Sequence, residues 1–368
     1  MRKTILVLFV LFAMNYALVA EPLFQVEQCF ITNPYQSDNT IEFFICKPEG
    51  KGNGSFPVMF LLHGHQEPES SIGGKQLVDY HYLDHFVAEG IVAVSISTPG
   101  FGQSDGVRDF AGPESQKAVA AVIEYCASLS YVDAERMGIY GISKGAILAS
   151  VVPVYYPDLS LLILEGGEYD LTNRRTLLPD YLNDLREGLV KEVGSEDSAY
   201  IARSAIYNTQ SIQGKTLLLH GEFDDRRGLP SAIALQAVLL QEGKECLLKM
   251  YPNECHCLPT EKWEAIIPFV RQQFFNISGI GIKLTNWATP AAQICKIRPD
   301  SPASKSGKLK IGDAILKISP HNDANEIEVM NVPIKKITAC LLGEKGSTVR
   351  LHVQHFDLTY DDVVLERG

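Results

Sequence analysis

Residues 137–148 read Met-Gly-Ile-Tyr-Gly-Ile-Ser-Lys-Gly-Ala-Ile-Leu, and the position of Ser143 in that run decides how the chain folds. Met137 to Tyr140 has the apolar character of a short buried strand, and Ala146 onward that of a helix start. A serine placed on so sharp a strand-to-helix turn takes strained backbone angles, and bulky neighbours would collide around it. Gly141 and Gly145, two residues to either side, remove that crowding. The helix that follows points N–H groups without intrahelical partners toward the serine.

The same alternation continues outward from this turn. Val58–Leu62, Ile91–Ser97, Leu161–Leu164, Lys215–Leu219 and Leu247–Tyr251 are apolar runs of strand length. Helical spacing of Val119, Val122, Ile123 and Cys126 predicts a helix over about 114–129. One helix is expected to run to about Glu89, with Gly90 as its cap, and a closing helix to start at Thr260. Strand and helix alternating from Val58 to Phe274 imply a parallel sheet covered on both faces, with its reactive groups at the carboxyl ends of the strands. Before this block, Leu23–Thr32 and Ile41–Lys47 read as a pair of strands. About fifty residues separate Leu164 from Lys215, too many for an ordinary crossover, so 168–211 is expected to be in part a helical cap. After Asn276 the character changes to short strands with one clear helix, Val332–Leu342. That divides the chain into a domain over 21–276, a smaller β+α domain over 277–358 and a tail over 359–368.

The chain has 368 residues, 46% of them hydrophobic and 21% charged, as expected of a globular protein with a substantial core. A formal net charge of −11 argues against a nucleic-acid partner. Arg2 and Lys3 precede the apolar run Ile5–Met14, which reads as a signal peptide over 1–20 and a secreted or periplasmic product. An uncleaved membrane anchor is the alternative, though the run is short for a bilayer span. The eight cysteines show no disulfide framework, although Cys29 and Cys46 flank a turn and could pair across a hairpin. Cys255 and Cys257 bracket His256, but with no second such pair a metal is not expected. His81 and His85, four apart, lack a third ligand and read as structural. No cofactor is implied.

A serine hydroxyl needs a base to take its proton and an acid to orient that base. His256 is the histidine available after the last strand of the block. Asp224, in His220-Gly221-Glu222-Phe223-Asp224, is the leading acid, with Asp225 and Glu222 as rivals. A developing oxyanion needs two donors; the backbone N–H groups of Lys144 and His65 are the candidates. The Lys144 side chain itself reads as a solvated surface lysine.

Residues 40–275 resemble the α/β-hydrolase superfamily, in its dienelactone-hydrolase and prolyl-oligopeptidase-like group. The resemblance rests on Leu62-His63-Gly64, Pro99 to Ser104, the Gly141–Gly145 turn, the stretch ending in Asp224 and the His256 loop. It implies a Ser143–Asp224–His256 triad and an acyl-enzyme. The Gly141–Leu148 stretch is also similar to acyl-CoA thioesterases. The chain differs from oligopeptidases in having no β-propeller, and from many dienelactone hydrolases in having serine rather than cysteine. Residues 277–358 resemble a bacterial-type PDZ domain. Gly279-Ile280-Gly281-Ile282 matches its carboxylate-binding loop, Ser301–Gly307 and Ile311–Leu316 its middle, and Val332–Leu342 its groove helix. This implies recognition of a polypeptide C-terminus. The resulting expectation is a serine hydrolase of esters. A peptidase is the first alternative, a thioesterase the second, and a PDZ scaffold on an inactive hydrolase the non-enzymatic one.

Overall fold

The computed structural model describes residues 23–49, 55–67, 71–173, 189–226, 228–285, 291–320 and 326–368. The expected signal peptide and part of the expected cap lie outside them.

An antiparallel pair, β1 (Val26–Thr32) and β2 (Thr40–Cys46), opens the fold. It joins β3 (Phe56–Leu62), β4 (Val92–Ile96), β5 (Val132–Ile142), β6 (Leu161–Glu165), β7 (Lys215–Gly221) and β8 (Cys246–Tyr251). Together they form an eight-stranded sheet in the order β1-β2-β4-β3-β5-β6-β7-β8, parallel from β4 to β8. The register sets Cys29 opposite Phe43 and Cys46 opposite Val26, so the two cysteines do not face each other across the hairpin, and both are free thiols.

Alternating side chains of the central strands feed two separate cores, because successive residues of a strand point to opposite faces. Val58, Phe60 and Leu62 of β3 join one cluster, and Met59 and Leu61 join the other. The first cluster is covered by α3 (Pro113–Ala127), α4 (Lys144–Val151) and α6 (Leu229–Gln241). The second is covered by α1 (Lys75–Asp79), α2 (Tyr82–Val87) and α7 (Trp263–Phe275). Each fully buried leucine or isoleucine contributes about 1.5–3 kcal/mol through burial.

The single helix expected before Gly90 is in fact two, α1 and α2, because His81 between them takes a left-handed φ of 60°. Within the expected cap, the described residues form short 3₁₀ turns, a helical stretch over 189–193 and α5 (Asp197–Ile201).

The C-terminal residues form a β-rich unit. Its sheet orders β10 (Ile282–Thr285), β11 (Ala292–Ile297), β12 (Ala314–Ser319), β15 (Thr348–Gln354) and β16 (Tyr360–Glu366), with β13 (Ile327–Glu328) paired to β12. A short pair, β9 (Ile277–Ser278) with β14 (Gly343–Glu344), and helices α8 (Pro302–Ser306) and α9 (Ile334–Leu341) complete it. Residues 360–366, expected as a tail, are instead strand β16, paired along its length with β15, with Val363 and Leu365 buried. Arg367 is fully buried and donates to the carbonyls of Leu341, Thr348, Pro320 and Cys340. Glu264 of α7 pairs with Lys283 and Lys296 of this unit.

Candidate active site

Ser143 sits between β5 and α4 with φ 55° and ψ −119°, a conformation that costs roughly 1–3 kcal/mol at a non-glycine residue. The surroundings enforce it. A Cβ on Gly141 would lie 2.1 Å from the Gly145 carbonyl oxygen, and one on Gly145 would lie 2.3 Å from that of Leu62. Ser143 N–H donates to the Glu165 carbonyl at 2.7 Å, tying the turn to the end of β6.

His256, on the loop after β8, must reach back past the ends of β7 and β6 to meet Ser143. Gly221 at the end of β7 permits that path, since a Cβ there would stand 2.1 Å from the Cys255 carbonyl oxygen. His256 Nε2 then lies 2.9 Å from Ser143 Oγ. Its Nδ1 lies 3.0 and 3.1 Å from the two carboxylate oxygens of Asp224. An ionised carboxylate only accepts, so the imidazole carries its proton on Nδ1 and offers Nε2 to the serine hydroxyl. The Asp224 side chain is almost wholly buried. Burial acts to raise its pKa, but the neighbouring His220 and His256 imidazoles, the second through its hydrogen bonds and charge, and the Arg226 N–H outweigh it, and the carboxyl is held well below the usual range. The rival acids stand elsewhere: Glu222 is exposed and accepts from the Asn253 N–H at 3.2 Å, and Asp225 is exposed.

Lys144 opens α4, so its N–H has no intrahelical acceptor. His65 lines the same cavity as Ser143, Lys144 and His256, together with Phe110, Ile147, Glu168 and Arg226. The loop carrying His65 is held by Gln66, which accepts from the N–H groups of Ile72 and Gly73 at 2.9 Å and donates to the Gly73 carbonyl at 2.9 Å. His63, fully buried, is pushed down to about 3 by burial and next by the Lys144 charge. It donates through Nδ1 to the Gly64 carbonyl and accepts at Nε2 from Thr98. The Lys144 side chain is not on the surface: it is 4% exposed, with its ammonium 3.5 Å from the centroid of the Phe101 ring.

Three features escape a reading of local sequence. Glu165 and Lys262 form a buried pair at 2.7 Å, with Tyr140 and Tyr82 hydrogen-bonded to it. His220 is fully buried, donates through Nε2 to the Gly167 carbonyl at 3.0 Å, and places Nδ1 3.5 Å from Asp224. Glu42 of β2 accepts from Gln28, Ser97 and the Gln103 N–H, fixing the loop after β4. The strand-end positions of Glu165 and His220 were the available signal; their partners lie too far away in sequence. His81 pairs with Asp84 at 2.8 Å and His85 stacks on Trp263. Among the described residues no cluster of His, Cys, Asp and Glu is arranged to hold a metal ion, and no helix is long and apolar enough to cross a membrane.

Residues 97–273, which contain all three members of the Ser143–His256–Asp224 relay, match the prolyl oligopeptidase family. The uncharacterized peptidase YuxL of Bacillus subtilis is 25% identical over 223 residues, covering 56% of this chain and 32% of its own length. The chain thus spans about a third of that relative. Among solved structures, the acylaminoacyl peptidase of Pyrococcus horikoshii superposes with a TM-score of 0.56 at 18% identity, over 68% of this chain and 42% of that one. A hyperthermophilic esterase from Pyrobaculum calidifontis gives 0.56 at 16% identity, over 69% and 86%. Together, the sheet order, the serine turn and the family match show an α/β-hydrolase-like fold whose residues 97–273 are similar to the prolyl oligopeptidase family.

Proposed function

We propose that the chain is a serine peptidase. The observation that carries this reading is the relay from Asp224 through His256 to Ser143, inside the segment that matches a peptidase family. Ester cleavage, the first expectation from sequence, yields to the peptidase alternative on the strength of that match. Ser143 Oγ attacks the carbonyl carbon as His256 Nε2 takes its proton. Asp224 holds the Nδ1 proton and offsets the imidazolium charge. The N–H groups of Lys144 and His65 are proposed to receive the oxyanion. His256 then protonates the leaving amine, and water resolves the acyl-enzyme by the same steps in reverse.

Two further elements belong to the proposal. Export is carried by Arg2, Lys3 and the apolar run after them. A PDZ-like peptide groove in the C-terminal unit is supported by β10, an edge strand, lying beside α9. The carbonyls of Gly279, Ile280 and Gly281 are bonded to Gly368, Ala303 and Arg298, and none of these three residues' N–H groups donates to a described acceptor. The test of the main reading is mass spectrometry of a peptide library incubated with the protein and with Ser143→Ala. Cleavage products that depend on Ser143 are expected; turnover of activated esters with intact peptides would return the reading to an esterase.

A further inference from the structure

Next to the nucleophile stands a cation that the relay does not use. Lys144 is all but buried, and its ammonium makes no hydrogen bond or ion pair with any described residue. Its ammonium lies against the Phe101 ring, where the Arg108 guanidinium also packs, 3.9 Å from the centroid. Arg108 is already engaged with the Gly100 and Gln66 carbonyls.

The charged and titratable groups facing Lys144 come from every neighbouring segment. His63 and His65 lie on the loop after β3, Arg108 and Asp109 on the loop after β4, and Glu192 on the chain before α5. Glu168 and Arg226 line the same cavity. The acids among the first group are committed elsewhere. Asp109 accepts from the Glu114 and Ser115 N–H groups, and Glu192 accepts from the Phe110 N–H at 2.9 Å. Neither forms an ion pair with Lys144. A desolvated ammonium without a counterion is costly, and burial, ahead of Arg108, lowers it to about 7 against the pull of Glu192 and Asp109. Among the described residues no acid pairs with it, which leaves the ammonium open to an anionic group that arrives with the substrate.

We propose that Lys144 is a specificity-determining residue that binds a carboxylate on the acyl side of the substrate. In a peptide this is the side chain of an aspartate or glutamate preceding the scissile bond. The acyl side follows from position, since Lys144 adjoins Ser143 and so stays beside the half of the substrate that becomes bonded to Oγ. Phe110 and Ile147 offer apolar surface to the intervening methylene groups, and Arg226 adds a second cation to the cavity wall. This proposal rests on the serine-hydrolase reading above.

The test compares mono-4-nitrophenyl adipate with the 4-nitrophenyl ester of its monoamide, which match in shape and differ in charge. A charge-assisted contact predicts a ratio of kcat/KM of about 10–100 in favour of the acid. In Lys144→Met the ratio within that protein should fall toward one, and Lys144→Arg should restore part of it. In the wild type the ratio should decline as pH rises beyond about 7, as the free ammonium loses its proton; any ionisation that acts on both esters alike cancels in the ratio. Equal turnover of the two esters by a protein whose Ser143 reacts with a fluorophosphonate would overturn this proposal alone. A ratio that survives in Lys144→Met, or one that is flat with pH, would do the same. No turnover of either ester and no fluorophosphonate adduct would overturn the hydrolase reading and this one with it.

Discussion

Lys262 places its ammonium 2.7 Å from the Glu165 carboxylate, 97 residues away in the chain, with both side chains almost wholly buried. Glu165 ends β6, and its backbone carbonyl holds the Ser143 N–H. Burial works to lower Lys262, but the adjacent Glu165 charge and its hydrogen bonds keep it raised. The pair thus joins α7 to the strand next to the nucleophile. Removing one partner leaves the other charged and buried, which costs about 3–5 kcal/mol. Lys262→Met should destabilise by that amount in urea unfolding, and Lys262→Met with Glu165→Leu should be closer to wild type than either single variant. Additive losses would show that the two groups do not act as a pair.

The turn at Ser143 predicts a steric penalty. Gly145→Ala adds a Cβ that meets backbone oxygens of Leu62 and His63 at 2.3 and 2.6 Å, and backbone cannot swing aside as a side chain can. The variant should lose at least about 1–3 kcal/mol of stability and most of its activity. Wild-type unfolding and turnover in Gly145→Ala would mean that the turn is looser than described.

Asp224 should be the sensitive acid. Asp224→Asn removes the charge that orients His256 and should lower turnover by about 10³–10⁴-fold, while Asp225→Asn and Glu222→Gln stay within a few-fold. Because the folded-state pKa of Asp224 is depressed, its stabilising contribution is present above the unfolded carboxyl pKa and is lost as pH falls through the folded one. The stability gap between wild type and Asp224→Asn should accordingly narrow only in strongly acidic solution. A severe Asp225→Asn phenotype would move the acid role.

Lys144 makes the opposite prediction for alkali. Its folded pKa of about 7 lies below the ordinary lysine value of 10.5, so between these limits the unfolded chain binds more protons and stability rises with pH. Its penalty is full below pH 7. Lys144→Met should therefore be more stable than wild type at pH 6–7, by about 1 kcal/mol or more, with the advantage shrinking toward pH 10. Thermal unfolding across that range reads the effect, and a pH-independent difference would contradict it.

The fold was legible where periodicity is local. Ala292–Ile297 and Lys215–Leu219 announce themselves as strands, and the spacing of Gly141, Ser143 and Gly145 marks the turn that the sheet presents. The triad follows once His256 is seen to come after the last strand of the block. What stayed hidden depends on distant partners. Lys144 looks like any helical lysine until Phe101 covers its ammonium from another loop. Strand β16 was masked by Asp361 and Asp362, although Val363 and Leu365 already alternate inward. The break at His81 needs a left-handed residue, which no glycine signals there.

Fluorophosphonate labelling followed by peptide mapping tests the central claim, that Asp224, His256 and Ser143 act as one nucleophilic unit. A single adduct on Ser143 is expected in the wild type, none in Ser143→Ala, and labelling slower by about 10³-fold or more in His256→Ala. An adduct on another residue, or labelling of Ser143 at the same rate without His256, would contradict it.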